Sequence, residues 1–158
     1  MINYFGYGAN STPEMMEAII GRAPQGKPAV LSGYELCIQV WSEVPESAKV
    51  RLSKGWGPDF QTYCIRPKDK SNVTGTLWQI TDDERWMVSQ WEYWYEKISV
   101  EVEADDKKLL AETEMVNDPA IKRVVHETNY NPFCVPKEEI IAHAVSLKER
   151  LKGIKRTQ

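Results

Sequence analysis

The sequence predicts an α+β fold in one domain. Its strand-like segments follow one another as antiparallel hairpins, and its helix-like segments do not alternate with them as a doubly wound parallel fold requires. A length of 158 residues suits one domain with a complete core. Because no internal repeat or low-complexity linker divides the chain, we expect residues 1–158 to form a single domain.

Strands are predicted by apolar alternation and by β-branched and aromatic residues. Their expected ranges are 2–5, 29–41, 61–65, 73–80, 97–104 and 108–116. Gly33 predicts a bulge or close approach in the second strand, and a charged turn joins the third and fourth. Residues 42–59 are polar and broken by proline and glycine, which favours a long hairpin or flap with a brief strand near 50–52.

Three helices are expected. The first begins at Ser11 or Thr12, with capping-box spacing from Ser11 to a glutamate, and ends at Gly21. The second begins at another capping box, 81–84, whose acidic residues suit the helix dipole, and continues to about Trp94. The last helix covers about 137–152, with an apolar stripe that includes Val145.

The overall composition disfavours several classes of partner. A net charge of −3 and a pI near 5.5 do not favour binding to nucleic acid or to an acidic membrane. The local exception is a basic C-terminal segment, which we expect to be a solvated helix end with a frayed tail, 152–158. No stretch approaches the ~20 apolar residues of a membrane span, and no signal peptide is recognised. We expect a cytoplasmic protein.

The cysteines and histidines predict neither a disulfide framework nor a metal site. The three cysteines are far apart and form no CxxC pair, which is typical of a reducing compartment. Cys134 with His126 or His143 is a candidate nucleophile and base, but no family signature surrounds it, so we expect a buried structural thiol. No second histidine lies at ligand spacing from His126, so no metal is expected.

The loop after the first strand has the composition of an anion-binding site. Gly6 and Gly8 lack Cβ atoms, which permits positive φ and close approach of a ligand to the backbone. Loop N–H groups followed by a helix N-terminus suit a carboxylate or phosphate, and Asn10 adds a side-chain donor and acceptor. A dinucleotide fingerprint is disfavoured because Ser11 occupies its third glycine position. A simple tight turn before a capped helix is the other interpretation.

Glu92 is the candidate acid and base. At helical spacing it shares a face with Val88 and Tyr95, beside two tryptophans. A carboxyl on such an apolar surface loses solvation, which raises its pKa and suits it to proton transfer near neutral pH. The alternative is a boundary glutamate paired with a cation such as Lys97.

Four motifs together resemble the γ-glutamylcyclotransferase-like (AIG2-like) family. They are Tyr-Phe-Gly-Tyr-Gly-Ala-Asn at 4–10, Leu-x-Gly-Tyr-x-Leu at 31–36, Val-x-Gly-Thr-Leu-Trp at 73–78 and Tyr-x-Lys-x-x-Val-x-Val at 95–102. Glu92 follows Trp78 by 92 − 78 = 14 positions, which is the family's offset for its catalytic glutamate. The resemblance spans about residues 2–116.

The resemblance implies a fold, a reaction and a site. The fold would be a small mixed, mainly antiparallel β-barrel with flanking helices. The α-amine of a γ-glutamyl substrate would attack the γ-carbonyl, closing a 5-oxoproline ring and releasing an amine, with Glu92 as general acid and base. The substrate-binding residues would be Tyr7, Gly8, Ala9, Asn10 and Tyr95. No metal or organic cofactor would be required, and a monomer or homodimer is expected.

The chain departs from the family pattern at four positions. Ala9 replaces a serine, Ser89 an aspartate and Tyr93 a glycine, while Glu114 occupies a strand position that often carries tyrosine. These changes favour an unusual substrate. The alternative is a non-catalytic small-carboxylate-binding protein on the same fold.

Overall fold

A computed structural model of the protein describes residues 1–125 and 136–154. The strands in these ranges are β1 (Ile2–Gly6), β2 (Gly26–Val40), β3 (Gln61–Ile80), β4 (Glu96–Ala104), β5 (Lys107–Met115) and β6 (Arg123–Val124). The α-helices there are α1 (Pro13–Ile20), α2 (Glu46–Leu52), α3 (Asp82–Trp91) and α4 (Lys137–Leu151). Short 3-10 turns cover Ala9–Ser11 and Trp41–Glu43.

The sheet closes on itself as a barrel. Its strand order is β3-β1-β5-β4-β2, and β2 then pairs with β3 along nearly its whole length. β1 runs parallel to β5, whereas the other neighbouring pairs in the barrel are antiparallel. β6 pairs with β2 outside this closed set. The predicted α+β class and the mixed, mainly antiparallel barrel with flanking helices are confirmed.

Alternation along β1 connects two apolar layers. Successive side chains of a strand point to opposite faces, so Phe5 packs in the barrel interior with Leu31 and Val102. Tyr4 faces the other way and packs with Val88 in the layer beneath the helices. Tyr4 has no exposed surface, and its hydroxyl therefore needs a hydrogen-bond partner inside the protein.

The segment predicted as a flap is instead helical. α2 occupies the region where a brief strand was expected near 50–52, and a 3-10 turn precedes it. Ala48 and Leu52, four residues apart, are buried in the layer between barrel and helices. Such a short helix gains its stability from packing rather than from propensity. Pro45, one of the residues that suggested a flap, occupies the N-cap of this helix.

The two strands predicted at 61–65 and 73–80 are parts of one strand, β3. The predicted charged turn is an irregularity within it. Ser32 pairs with Asn72 and Tyr34 with Pro67, so four residues, 68–71, stand opposite Gly33 alone. Gly33 has a φ of 84°, which confirms the predicted bulge and explains its glycine.

The helix ends agree with the prediction in part. Of the two residues proposed to start α1, Thr12 is the N-cap, and Gly21 at φ 92° ends the helix. The Thr81 capping box opens α3 as predicted. α4 has the predicted range, but Val145 of its expected apolar stripe is exposed, and Leu147 is buried in its place.

Some predictions concern residues outside the described ranges. They are His126, Cys134 and the tail residues 155–158. Among the described helices, none combines the length and apolarity needed to span a bilayer.

Candidate active site

The loop after β1 is shaped by a close backbone contact. Neither Gly6 nor Gly8 has a positive φ, so the expected left-handed conformation is absent there. Gly6 is required for another reason, because a Cβ on it would lie 2.5 Å from the Asn10 carbonyl oxygen. Trp78 Nε1 donates to that same oxygen at 2.8 Å. The backbone of Asn10 is therefore held between β1 and β3.

Gly6→Ala is expected to lower the free energy of unfolding by about 1–3 kcal/mol, the usual cost of overpacking, and to displace Asn10. The matched control is Gly8→Ala, because a Cβ there would approach no atom closer than 3.6 Å. Urea unfolding of both variants checks the expectation. Equal stability of the two variants would contradict it.

Glu92 lies at the end of a helix rather than within it. α3 ends at Trp91, and Glu92 is its C-cap residue, with φ −99° and ψ 38°. The helical-face argument for Glu92 and Tyr95 is therefore wrong in its geometry. The helix ends where three consecutive aromatic residues each bond to a different part of the fold. Tyr93 donates to Ala48, Trp94 to Gln39 and Tyr95 to Tyr63.

A chain of hydrogen bonds joins Glu92 to the loop. Asn10 Nδ2 donates to Glu92 Oε1 at 3.1 Å and to the Tyr4 hydroxyl at 2.7 Å. The Tyr4 hydroxyl donates in turn to Glu114 Oε2 at 2.7 Å, so its lone pairs face Asn10. Asn10 Oδ1 accepts the Gly8 N–H at 3.3 Å. The network thus fixes the Asn10 amide with its NH2 group toward Glu92.

A buried ion pair lies behind this chain. Arg85 of α3 approaches Glu114 at 2.6 Å and Glu112 at 2.7 Å, both on β5. Its guanidinium lies over the Tyr4 ring, 4.9 Å from the centroid. Arg85 and Glu114 are each 3% exposed. Sequence reasoning singled out Glu114 only as a departure from the family and did not find Arg85 or Tyr4.

The pKa of Glu92 is raised well above its ordinary value. Its low hydration is the main cause, and the negative charge of Glu114 adds to it, while Arg85 opposes both. Burial also raises the pKa of Glu114, but Arg85 and the Tyr4 hydroxyl bind that carboxylate directly and oppose the shift. Arg85 thus opposes the upward pKa shift of both carboxyls, but it contacts only Glu114 directly. We therefore expect Glu92 to hold a proton more readily than Glu114 does.

One cavity of about 550 Å³ contains every predicted site residue. Those that line it are Tyr7, Gly8, Ala9, Asn10, Glu92 and Tyr95. Tyr7 is fixed through its hydroxyl, which donates to the Glu114 carbonyl oxygen at 2.7 Å. Tyr95 donates to the Tyr63 carbonyl at 2.8 Å. The cavity volume is in the range of small-molecule sites.

The substitutions that distinguish this chain leave the cavity open. Tyr93 lines the cavity, but its hydroxyl donates to the Ala48 carbonyl of α2 at 2.7 Å and so is held at the wall. Ser89 donates to Trp86 in its own helix at 2.6 Å. Among the residues the structure describes, no cluster of His, Cys, Asp and Glu is arranged to hold a metal ion.

Comparisons with known proteins identify the fold. No family model and no curated protein sequence matches the chain. A solution structure from Arabidopsis thaliana is 22% identical at a TM-score of 0.58, covering 99% of this chain and 95% of that one. A second Arabidopsis thaliana solution structure is 23% identical at a TM-score of 0.57, and the match covers 96% of this chain and 79% of that one.

A gamma-glutamyl cyclotransferase structure is 16% identical at a TM-score of 0.60, covering 99% of this chain and 89% of that one. At these identities the likeness concerns the fold. The chain therefore has the γ-glutamylcyclotransferase fold that its sequence motifs predicted.

Proposed function

We propose that the protein is a γ-glutamylcyclotransferase-type enzyme. It converts a γ-glutamyl amine, amino acid or conjugate to 5-oxoproline and a free amine. The observation that carries the proposal is Glu92, a carboxyl of raised pKa that lies in an open cavity and accepts a hydrogen bond from Asn10 of the loop. The fold shared with a gamma-glutamyl cyclotransferase supports the same reaction class.

The reaction needs one proton carrier and no external nucleophile. The neutral α-amine of the substrate attacks its own γ-carbonyl carbon, forming a C–N bond within a five-membered ring. Glu92 takes a proton from the attacking nitrogen and delivers it to the leaving nitrogen as the original amide C–N bond breaks. Before the attack the α-ammonium group loses one proton to solvent, and after the reaction the released amine takes up one proton from solvent, so the two exchanges cancel. The carboxyl returns to its starting state.

The loop would orient the substrate. Asn10 and Gly8 are linked to each other by the Asn10 side chain, and the N–H groups of Ala9 and Asn10 donate to no acceptor among the described residues. These groups are suited to the α-carboxylate of the γ-glutamyl group. Because ring closure is unimolecular, the main contribution of binding is to hold the substrate in a near-attack shape.

Incubation with a panel of γ-glutamyl compounds tests the proposal, with 5-oxoproline measured by chromatography. The panel should contain γ-glutamyl amino acids, γ-glutamyl alkylamines and a γ-glutamyl lysine side-chain conjugate. Formation of 5-oxoproline from at least one compound is expected. Binding without product would instead support the alternative, a small-carboxylate-binding protein on this fold. If the protein neither binds any of these compounds nor forms product, the result would count against both the enzyme and the binding protein.

The rate is expected to rise with pH through a range above the ordinary titration of glutamate, near pH 4.3. Glu92 must be ionised to accept a proton, and its pKa is raised. Glu114→Gln removes a negative charge that contributes to this shift, so the acidic limb of the kcat/KM profile should move to lower pH. Glu112→Gln is the control, because Glu112 contacts Arg85 but not Tyr4. The expectation would be contradicted if the acidic limb of the kcat/KM profile lay at the same pH in Glu114→Gln and in the unmodified protein.

A further inference from the structure

The cavity has two chemically different ends. Its inner end, at the barrel, contains the two carboxyls Glu92 and Glu114. Its outer end is formed by α2 with the turn after it and by α4, and it is lined by Arg51, Lys54 and Arg150. No other acidic side chain is among the described residues that line the cavity. Charge is therefore separated along the cavity, negative inside and positive at the mouth.

The three cations at the mouth are not paired with an acidic side chain within residues 1–125 and 136–154. Arg51, Lys54 and Arg150 form no salt bridge with any acidic residue that the structure describes. Two cations close to them in the sequence differ in this respect. Lys49 pairs with Glu46 at 2.9 Å, and Lys152, directly after α4, pairs with Glu149 at 2.8 Å. The three cations that line the cavity are thus unpaired among the described residues, whereas Lys49 and Lys152, which do not line it, are paired.

Aromatic rings form the wall between the two ends. Trp56 and His143 stack with ring centroids 4.1 Å apart, and both line the cavity. The Arg51 guanidinium lies over the Tyr93 ring, 4.2 Å from its centroid, and the Tyr93 hydroxyl is itself anchored to Ala48. Arg51 is therefore oriented by a fixed ring, which lowers the entropy cost of using it for binding.

We propose that the outgoing amine of the substrate carries two anionic groups, as in a γ-glutamyl conjugate of an acidic amino acid or of an acidic peptide. This inference rests on the proposed function and names its substrate class. The γ-glutamyl group would occupy the inner end beside Glu92, and the anionic groups of the outgoing amine would lie among Arg51, Lys54 and Arg150. The same cations repel an outgoing part with a positive charge, which adds selectivity against it.

A comparison of three substrates tests the inference. In γ-glutamylglutamate the outgoing part has two carboxylates, in γ-glutamylalanine one and in γ-glutamyl-n-butylamine none. The value of kcat/KM is expected to fall in that order, and the differences should shrink as salt is raised from 0.05 to 0.5 M (about 14 to 4 Å of screening length). A kcat/KM for the butylamide equal to or above that for γ-glutamylglutamate would overturn the inference.

Single substitutions locate the effect. Arg51→Gln, Lys54→Gln and Arg150→Gln should each lower kcat/KM for γ-glutamylglutamate about two- to fivefold, as expected for partly exposed ion pairs, and lower the butylamide value by a smaller factor. Lys152→Gln is the charge-matched control, because Lys152 does not line the cavity. Equal losses in the control and the three variants would show a general charge effect and would also overturn the inference.

Binding measurements separate this inference from the proposed function. Calorimetric titration of the unmodified protein with the three compounds reports affinity whether or not turnover occurs. If no compound yields 5-oxoproline but γ-glutamylglutamate binds tightest and loses affinity in Arg150→Gln, the proposed reaction fails and the specificity of the outer end stands. If turnover occurs with no preference for the acidic compound, the reaction stands and the specificity fails.

Discussion

Glu92→Gln is expected to abolish 5-oxoproline formation while the fold remains intact. Loss of a general acid and base lowers rates by about 10²–10⁴-fold, and here one group serves both proton transfers. Glutamine keeps an oxygen that can accept the hydrogen bond from Asn10, so the loop should stay in place. The measurement is kcat for the best γ-glutamyl substrate. Glu96→Gln is the control, because Glu96 is exposed and does not line the cavity.

The same variant should be more stable than the unmodified protein at neutral pH. The pKa of Glu92 is raised in the folded state, so the folded protein binds this proton more tightly than the unfolded chain does. Stability therefore falls as pH rises from the unfolded value, near 4.3, through the folded pKa. Glutamine does not ionise and avoids this loss. Full turnover by Glu92→Gln, or unchanged stability at every pH, would exclude the role given to Glu92.

Arg85→Met is expected to lower the free energy of unfolding by about 3–5 kcal/mol near neutral pH, the usual result of breaking a buried ion pair. Methionine is a long unbranched side chain without a charge, so Glu114 loses the guanidinium that pairs with it, and no other described cation forms a salt bridge with Glu114. The loss should be smallest at acidic pH, where Glu114 is protonated in both the folded and unfolded states, and should grow as pH rises. Urea unfolding at several pH values measures it.

Two further variants make this second expectation specific. Arg85→Met combined with Glu114→Gln should recover part of the stability, because no charge then remains unpaired at that position. Arg22→Gln should have a much smaller effect, since the Arg22–Glu84 pair is at the surface. An equal loss for Arg85→Met at every pH would mean that packing, rather than the ion pair, is responsible.

Much of the site could be predicted because its parts are local in sequence. The Gly6–Asn10 loop, the Thr81 capping box and the strand motifs are each set by residues within a few positions of one another. Their order and spacing resemble the family pattern, and Glu92 follows Trp78 by the family's offset for its catalytic glutamate. The structure brings this glutamate to Asn10 although 82 positions separate the two.

The remaining features depend on contacts between distant segments. α2 was interpreted as a flap because a seven-residue helix has little intrinsic stability, and the buried surface of Ala48 and Leu52 exists only once the neighbouring layer is formed. The expected helix to Trp94 ends at Trp91 because the following aromatic side chains find partners on other elements.

The sequence by itself determined the fold class, the bulge at Gly33, the end of α1 at Gly21 and the capping box of α3. The six residues that it proposed for the site line one cavity. Only the tertiary structure decided the pairing of Arg85 with Glu114 and the position of Tyr4 beside both of them. Tyr4 and Glu114 are 110 positions apart and meet through the parallel pairing of β1 with β5. The electrostatic environment of a buried carboxyl is the sum over all elements packed around it, and no local pattern encodes that sum.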